Sequence, residues 1–163
     1  MLIVLGGLPG VGKTAIARET ARLLGAIHIR IDSIELAIRE SGVTVMSLDD
    51  AGYRVGYAVS EDNLRLGHIV IADSVNPWPV TRDAWLDVAA RAQATAVEVE
   101  VVCADGREHR RRVEQRLAAG GPTWEEVVSR DYRAWDRDHI VIDTASRTVE
   151  QCVALLRGAL PAR

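Results

Sequence analysis

The chain has 163 residues, a formal net charge of −3, a pI near 5.8 and 48% hydrophobic residues. That length suits one domain with one sizeable core and leaves little room for an accessory substrate domain, and the mildly acidic balance gives no whole-molecule attraction to nucleic acid or an anionic membrane. Cys103 and Cys152 lie far apart without metal-ligand spacing, the usage of a reducing compartment, and both read as small core hydrophobes. The first apolar run begins at residue 2, with no charged leader and no stretch of 18 apolar residues, so the expected location is cytoplasmic.

Leu2-Ile3-Val4-Leu5 reads as a buried strand. Directly after it, Gly7-Leu8-Pro9-Gly10-Val11-Gly12-Lys13-Thr14 is a full match to the phosphate-binding pattern G-x-x-x-x-G-K-[ST], and a helix follows from about residue 13 to 24. A strand thus delivers a glycine loop to a helix N-terminus, where unpaired N–H groups and the positive dipole end meet anionic oxygens. The glycines let the backbone approach phosphate, Lys13 is placed to neutralise the β- and γ-phosphates of ATP, and the Thr14 hydroxyl to ligate Mg²⁺.

Further apolar runs at Ala26–Ile31, His68–Ala72, Ala96–Val102 and His139–Ile142 alternate with helical periods at about 34–41, 50–66, 81–94, 106–118, 124–132 and 147–157. This is the pattern of an α/β fold with a parallel sheet covered on both faces. Ligands in such a sheet sit outside the carboxyl ends of the strands, so the acids that end the runs are candidates. Asp32 could accept the proton of an attacking hydroxyl, or N-cap the next helix with Glu35 as capping-box partner; the two roles are compatible. Asp73, after four apolar residues, has the Walker B arrangement and could hold the Mg²⁺ shell or a substrate hydroxyl. Asn76 could bind substrate or stabilise the turn before Pro77. Asp143 reads as a cap or turn residue, and Thr123-Trp124-Glu125-Glu126 as a capping box that starts a helix near Trp124.

Arg107, Arg110, Arg111, Arg112 and Arg116 crowd one predicted helix. Arg112 and Arg116 share a face, while Glu108 and Glu114 can pair with Arg112 and Arg110. The run reads as a lid whose arginines clamp transferred phosphate, against the alternative of a solvated, ion-paired helix. The acceptor-defining segment is Ser41–Gly67, where Tyr53 and Tyr57 form one face and Gly52 and Gly56 a close-approach face; core packing explains both equally well. Arg39 could grip substrate or pair with Glu35, and Trp78 could anchor the core or stack on a ring.

Together, Gly7–Thr14, Ile31-Asp32-Ser33, Glu61–Gly67, Ala72–Pro77, His109–Glu114, Pro122-Thr123-Trp124 and Ile142-Asp143-Thr144 make the chain resemble the small P-loop kinases. That group includes shikimate and gluconate kinases, adenylylsulfate kinase, chloramphenicol phosphotransferase and the kinase half of bacterial polynucleotide kinases. The likeness extends along nearly the whole chain to bacterial AAA-family ATPase or P-loop kinase sequences. It implies a three-layer P-loop NTPase fold with a five-stranded parallel sheet of order 2-3-1-4-5, an arginine-rich lid at about 104–122, and an adenine pocket built partly from the Thr144 loop. Ile31-Asp32-Ser33 matches the strand-ending Val-Asp-Ser that carries the catalytic base in chloramphenicol phosphotransferase. The arginine-finger and sensor segments of oligomeric AAA motors are not seen, so ring assembly is not expected.

The resulting expectation is one kinase domain over 1–163 that moves the γ-phosphoryl of ATP to a hydroxyl of a nucleoside-like, antibiotic or sugar acceptor. Gly7, Pro9, Gly10, Val11, Gly12, Lys13 and Thr14, together with Arg112 and Thr144, would hold ATP. Thr14 and Asp73 would hold Mg²⁺, while Asp32, Lys13, Arg112 and Arg116 would serve catalysis. Asp32, Arg39, Tyr53, Tyr57, Asp73 and Asn76 would meet the acceptor. The rivals are a polynucleotide 5′-hydroxyl kinase, for which the balanced Glu35–Glu40 helix offers no basic groove, and a nucleotide-hydrolysing regulatory module. No nucleic-acid or membrane partner is expected, and the protein should be a monomer or homodimer.

Overall fold

The structure, a computed structural model, describes residues 1–42 and 50–161. These form β1 (Leu2–Gly6), α1 (Lys13–Leu24), β2 (Ile27–Arg30), α2 (Ile31–Glu40), α3 (Ala51–Arg65), β3 (Val70–Asp73), α4 (Pro79–Arg91), β4 (Ala96–Val102), α5 (Gly106–Leu117), α6 (Trp124–Val128), β5 (Ile140–Asp143) and α7 (Val149–Ala159). These strands pair in parallel in the order β2-β3-β1-β4-β5, as the resemblance to the small P-loop kinases implies.

The unbroken apolar run of β1 follows from its central place. Successive side chains point to opposite faces, so Ile3 and Leu5 enter a core with α1 and α7, while Leu2 and Val4 enter a second core with Ile31, Leu64, Trp85 and Val88. Cys152 is buried in the first core, and Cys103 packs half-buried at its edge. The register sets Leu5 beside Asp73 and Gly6 beside Glu100, so the P-loop and the β3 acid leave the sheet at one level.

Several boundaries differ from expectation. The second strand ends at Arg30, its last partner on β3 being Asp73, and α2 begins at once because Ile31 turns into the second core. Asp32 therefore lies in the first turn of α2 and not at its cap, and the expected Asp32–Glu35 capping box does not form; Arg30 occupies the cap position without a side-chain cap bond. Helix α4 starts at Pro79, where a fixed φ and a missing N–H suit the first helical position. The Thr123–Glu126 capping box is present, but its helix stops at Val128.

From Ser129 to His139 the chain then runs as an irregular strap across α4 and the β3–α4 turn. Arg82, fully buried, holds it. Its guanidinium donates to the carbonyls of Asn76 (3.1 Å) and Pro77 (3.4 Å) on one side, and of Arg133 (2.5 Å) and Ala134 (3.1 Å) on the other. The Trp135 ring lies 4.3 Å from the guanidinium carbon. Carbonyl oxygens and an aromatic face thus solvate a cation that the core would otherwise exclude.

Candidate active site

The P-loop leaves β1 through Gly7 at φ 137°, where a Cβ would run into the Val101 carbonyl. Lys13 folds back along the loop, and its Nζ donates to Gly7 O (2.7 Å) and Leu8 O (2.9 Å). Burial lowers its pKa to about 8; the charges of Asp73 and Asp32 oppose that shift, and those of Arg116 and Arg130 add to it. Both acids and both arginines therefore lie within electrostatic reach of the same ammonium.

Asp73 ends β3 and is 2% exposed. Its Oδ2 lies 3.1 Å from His28 Nε2, and the Thr14 side chain adjoins it. Burial pushes the Asp73 carboxyl up, but the His28 contact, the Lys13 charge and the Thr14 hydroxyl together hold it below the usual carboxylate range. An ionised carboxylate beside a P-loop hydroxyl is a hard-oxygen donor pair, which fits Mg²⁺ shared with phosphate oxygens and water.

Asp32 is 59% exposed and is bonded by Arg30 at 2.7 Å. One turn on, Glu35 is mostly buried, because Gly52 of α3 leaves room for it: a Cβ there would lie 2.5 Å from Glu35 Cγ. Arg39 is exposed and approaches Glu35 only to 3.7 Å. The Tyr53 hydroxyl accepts from the Asn76 N–H (3.0 Å) and lies beside Ser74, whereas Tyr57 packs edge-on against Trp85 at 4.5 Å and donates to Thr81 O. Tyr53 thus reaches the site and Tyr57 belongs to the core. Ser74 and Asn76 are buried; the Asn76 amide has no hydrogen-bond partner, and the Ser74 hydroxyl has only the adjoining Tyr53 hydroxyl beside it. Trp78 is not a core anchor; it is 45% exposed and its Nε1 donates to Asp131.

Helix α5 touches the P-loop through His109, whose Nε2 lies 2.8 Å from Pro9 O, and through Val113, which packs on Gly10. Most of its arginines are paired: Arg111 and Arg112 with Glu108, and Arg110 with Glu114. Arg112 also donates to Thr144 Oγ1 (2.8 Å) and Thr144 O (3.0 Å). The Thr144 hydroxyl in turn donates to Val11 O (2.7 Å), so Arg112 is tied to the P-loop through Thr144. Arg116 lies within electrostatic reach of Lys13. Asp143 accepts from the Ala104 and Ala145 N–H groups, the turn role the sequence suggests.

His28, Glu35, His109 and Arg130 are site neighbours with no local sequence signal for that role. Their placement depends on partners far along the chain, and Arg130 follows a helix expected to continue through it.

Residues 2–138 match the AAA_33 family of AAA domains. The chain belongs to that family. This AAA_33 protein is also similar to an uncharacterized protein of Mycobacterium tuberculosis, 30% identical over 98% of the chain but only 35% of that relative, so it spans about a third of the relative's length. Its fold is that of the small P-loop kinases. A candidate kinase from Chloroflexus aurantiacus superposes with a TM-score of 0.78 at 19% identity, covering 98% of each chain. The Mycobacterium tuberculosis APS kinase CysC, solved with AMPPNP and APS, gives a TM-score of 0.73 at 20% identity over 96% of each chain.

Proposed function

We propose that this AAA_33 protein is a single-domain kinase that transfers the γ-phosphoryl group of ATP to a hydroxyl of a small molecule. The observation that carries the reading is the convergence of Lys13, Thr14, Asp73 and Asp32, from α1, β3 and α2, on the end of the P-loop. A P-loop with a buried acid would serve hydrolysis equally well; Asp32 is what favours transfer. It stands in the solvent-open first turn of α2, within electrostatic reach of Lys13.

In this reading the acceptor oxygen attacks the γ-phosphorus as its bond to the ADP oxygen breaks, and Asp32 takes the hydroxyl proton. Lys13 leaves the Gly7 and Leu8 carbonyls for the β- and γ-oxygens, while Arg116 and Arg130 face the charge that spreads over the transferred group. Arg112 and Thr144 frame the base. Mg²⁺ bound by Thr14 and Asp73 would neutralise phosphate charge and orient the γ-group. Asp73, Asn76, Tyr53 and Arg39 would border the acceptor.

The test is incubation with γ-phosphate-labelled ATP and panels of amino alcohols, sugars, nucleosides and antibiotics, scoring which pool gains label. Lys13→Ala should abolish transfer, and Asp32→Asn should slow it roughly 10²–10⁴-fold. Label on an oligonucleotide end would reassign the acceptor to a polynucleotide. Release of labelled phosphate with no labelled acceptor would point to the hydrolytic module instead.

A further inference from the structure

The kinase reading leaves the chemical character of the acceptor open, and the wall opposite the P-loop bears on it. Glu35 lies one helical turn from Asp32, which separates their Cβ atoms by about 5–6 Å on one face of α2. Its carboxyl is held up by burial and by the Asp32 charge, with Arg39 and Arg130 offsetting this in part. No side-chain hydrogen bond completes it among the described residues, since Arg39 stops at 3.7 Å. Gly52 gives Glu35 its place, because any side chain there would displace it.

The facing wall supplies an independent sign of a polar ligand. The Tyr53 hydroxyl stands in electrostatic reach of both Glu35 and Asp32 and adjoins Ser74 and Asn76. Ser74 is 3% exposed and Asn76 0%; the Asn76 amide has no hydrogen-bond partner, and the Ser74 hydroxyl has only the adjoining Tyr53 hydroxyl beside it. Buried polar groups left this way are destabilising unless something meets them. Arg116 and Arg130 lie within electrostatic reach of Lys13 at the P-loop, where ATP phosphates would occupy all three. The cations on the α2 side, Arg30 and Arg39, already face Asp32 at 2.7 Å and Glu35 at 3.7 Å, so an anionic acceptor would have to draw one of them from its carboxylate.

We propose that Glu35 is the specificity-determining residue of the acceptor site, and that the acceptor is a hydroxylated amine: a small molecule whose protonated amine binds Glu35 while its hydroxyl, about one helical turn away, meets Asp32. This rests on the kinase reading above. The Tyr53, Ser74 and Asn76 groups would complete the hydrogen bonds of such a ligand. A carboxylate facing an ammonium is a charge-assisted contact, and replacing the carboxylate by an amide removes its charge at nearly constant shape.

The experiment compares kcat/KM for matched acceptors, amino alcohols or amino sugars against isosteres bearing hydroxyl or carboxylate in place of the amine. Wild-type protein should prefer the amine by tenfold or more. Glu35→Gln should collapse that ratio, chiefly through a higher KM for the amine; because both acceptors are assayed on one preparation, any general loss of activity cancels. Gly52→Ala, which displaces Glu35 without removing it, should also narrow the ratio. An equal or greater kcat/KM for the neutral or anionic isostere, with label transfer that depends on Lys13, would overturn this inference and leave the kinase reading standing. A ratio unchanged in Glu35→Gln would overturn it as well. Absence of transfer to every acceptor, with MgATP still bound, would remove the kinase reading and this inference with it.

Discussion

Lys13 is buried, bonded to the Gly7 and Leu8 carbonyls, and its pKa is lowered to about 8. The phosphates of ATP favour its charged form and must raise that value, so between pH 8 and the ordinary lysine range nucleotide binding takes up a proton. Calorimetric titration with MgATP near pH 8.5, in two buffers of different ionisation enthalpy, should report uptake of up to about three-quarters of a proton. Near pH 6.5 the lysine is already charged and its contribution should vanish. Identical heats in both buffers at the higher pH would contradict the burial argument, and Lys13→Met should abolish the uptake. Folding is linked to the same proton. Above pH 8 the unfolded chain holds more protons on this lysine than the folded one, so its contribution to stability rises with pH across the same window. The P-loop was legible in the sequence because its groups are contiguous. Glu35, His28 and Arg130 were not, because each gains its meaning from a residue distant in the chain: His28 from Asp73, Glu35 from Gly52, Arg130 from Lys13.

At the level of elements, α5 meets the P-loop through His109 and Val113, while Arg110 and Arg111 pair with Glu114 and Glu108 along the helix. Gly10 sits at φ 87°, and a Cβ there would lie 2.6 Å from Val113 Cγ2. Gly10→Ala should therefore strain the loop and push α5 away, weakening MgATP binding by tenfold or more in a direct titration. That loss corresponds to roughly the 1–3 kcal/mol expected for backbone strain of this kind. Gly106→Ala, at the start of the same helix but facing open space, is the matched control and should bind normally. Periodicity located all the helices of the described residues, and local chemistry fixed the start of α6 through its capping box. It failed at β2, where the apolar alternation of Ile29 and Ile31 runs on past the last strand partner, and tertiary burial of Ile31 converts the next residues to helix. It failed again after Val128, since the strap is held by Arg82 and no pattern of its own residues announces that. Residues 43–49 of the Ser41–Gly67 segment lie outside the described residues.

On the scale of the whole molecule, one sheet divides two cores, and its carboxyl end gathers the candidate site groups from β1, β3 and β5. The layer arrangement followed from the sequence, because parallel strands buried on both faces write continuous apolar runs, whereas the strand order came only from the resemblance to the small P-loop kinases. The chain beyond α5 is tied back more firmly than its irregular backbone implies. Strap carbonyls share the Arg82 guanidinium with the β3–α4 turn, β5 pairs with β4, and α7 places Cys152, Val153 and Leu156 in the first core. The connector from Ala118 to Gly121 carries none of these attachments across to the other side. Severing the chain there by limited proteolysis should consequently give two pieces on a denaturing gel that still elute together as one particle under native conditions. The last forty or so residues would then behave as a non-covalent subunit of their own protein, and separately expressed halves should reassemble.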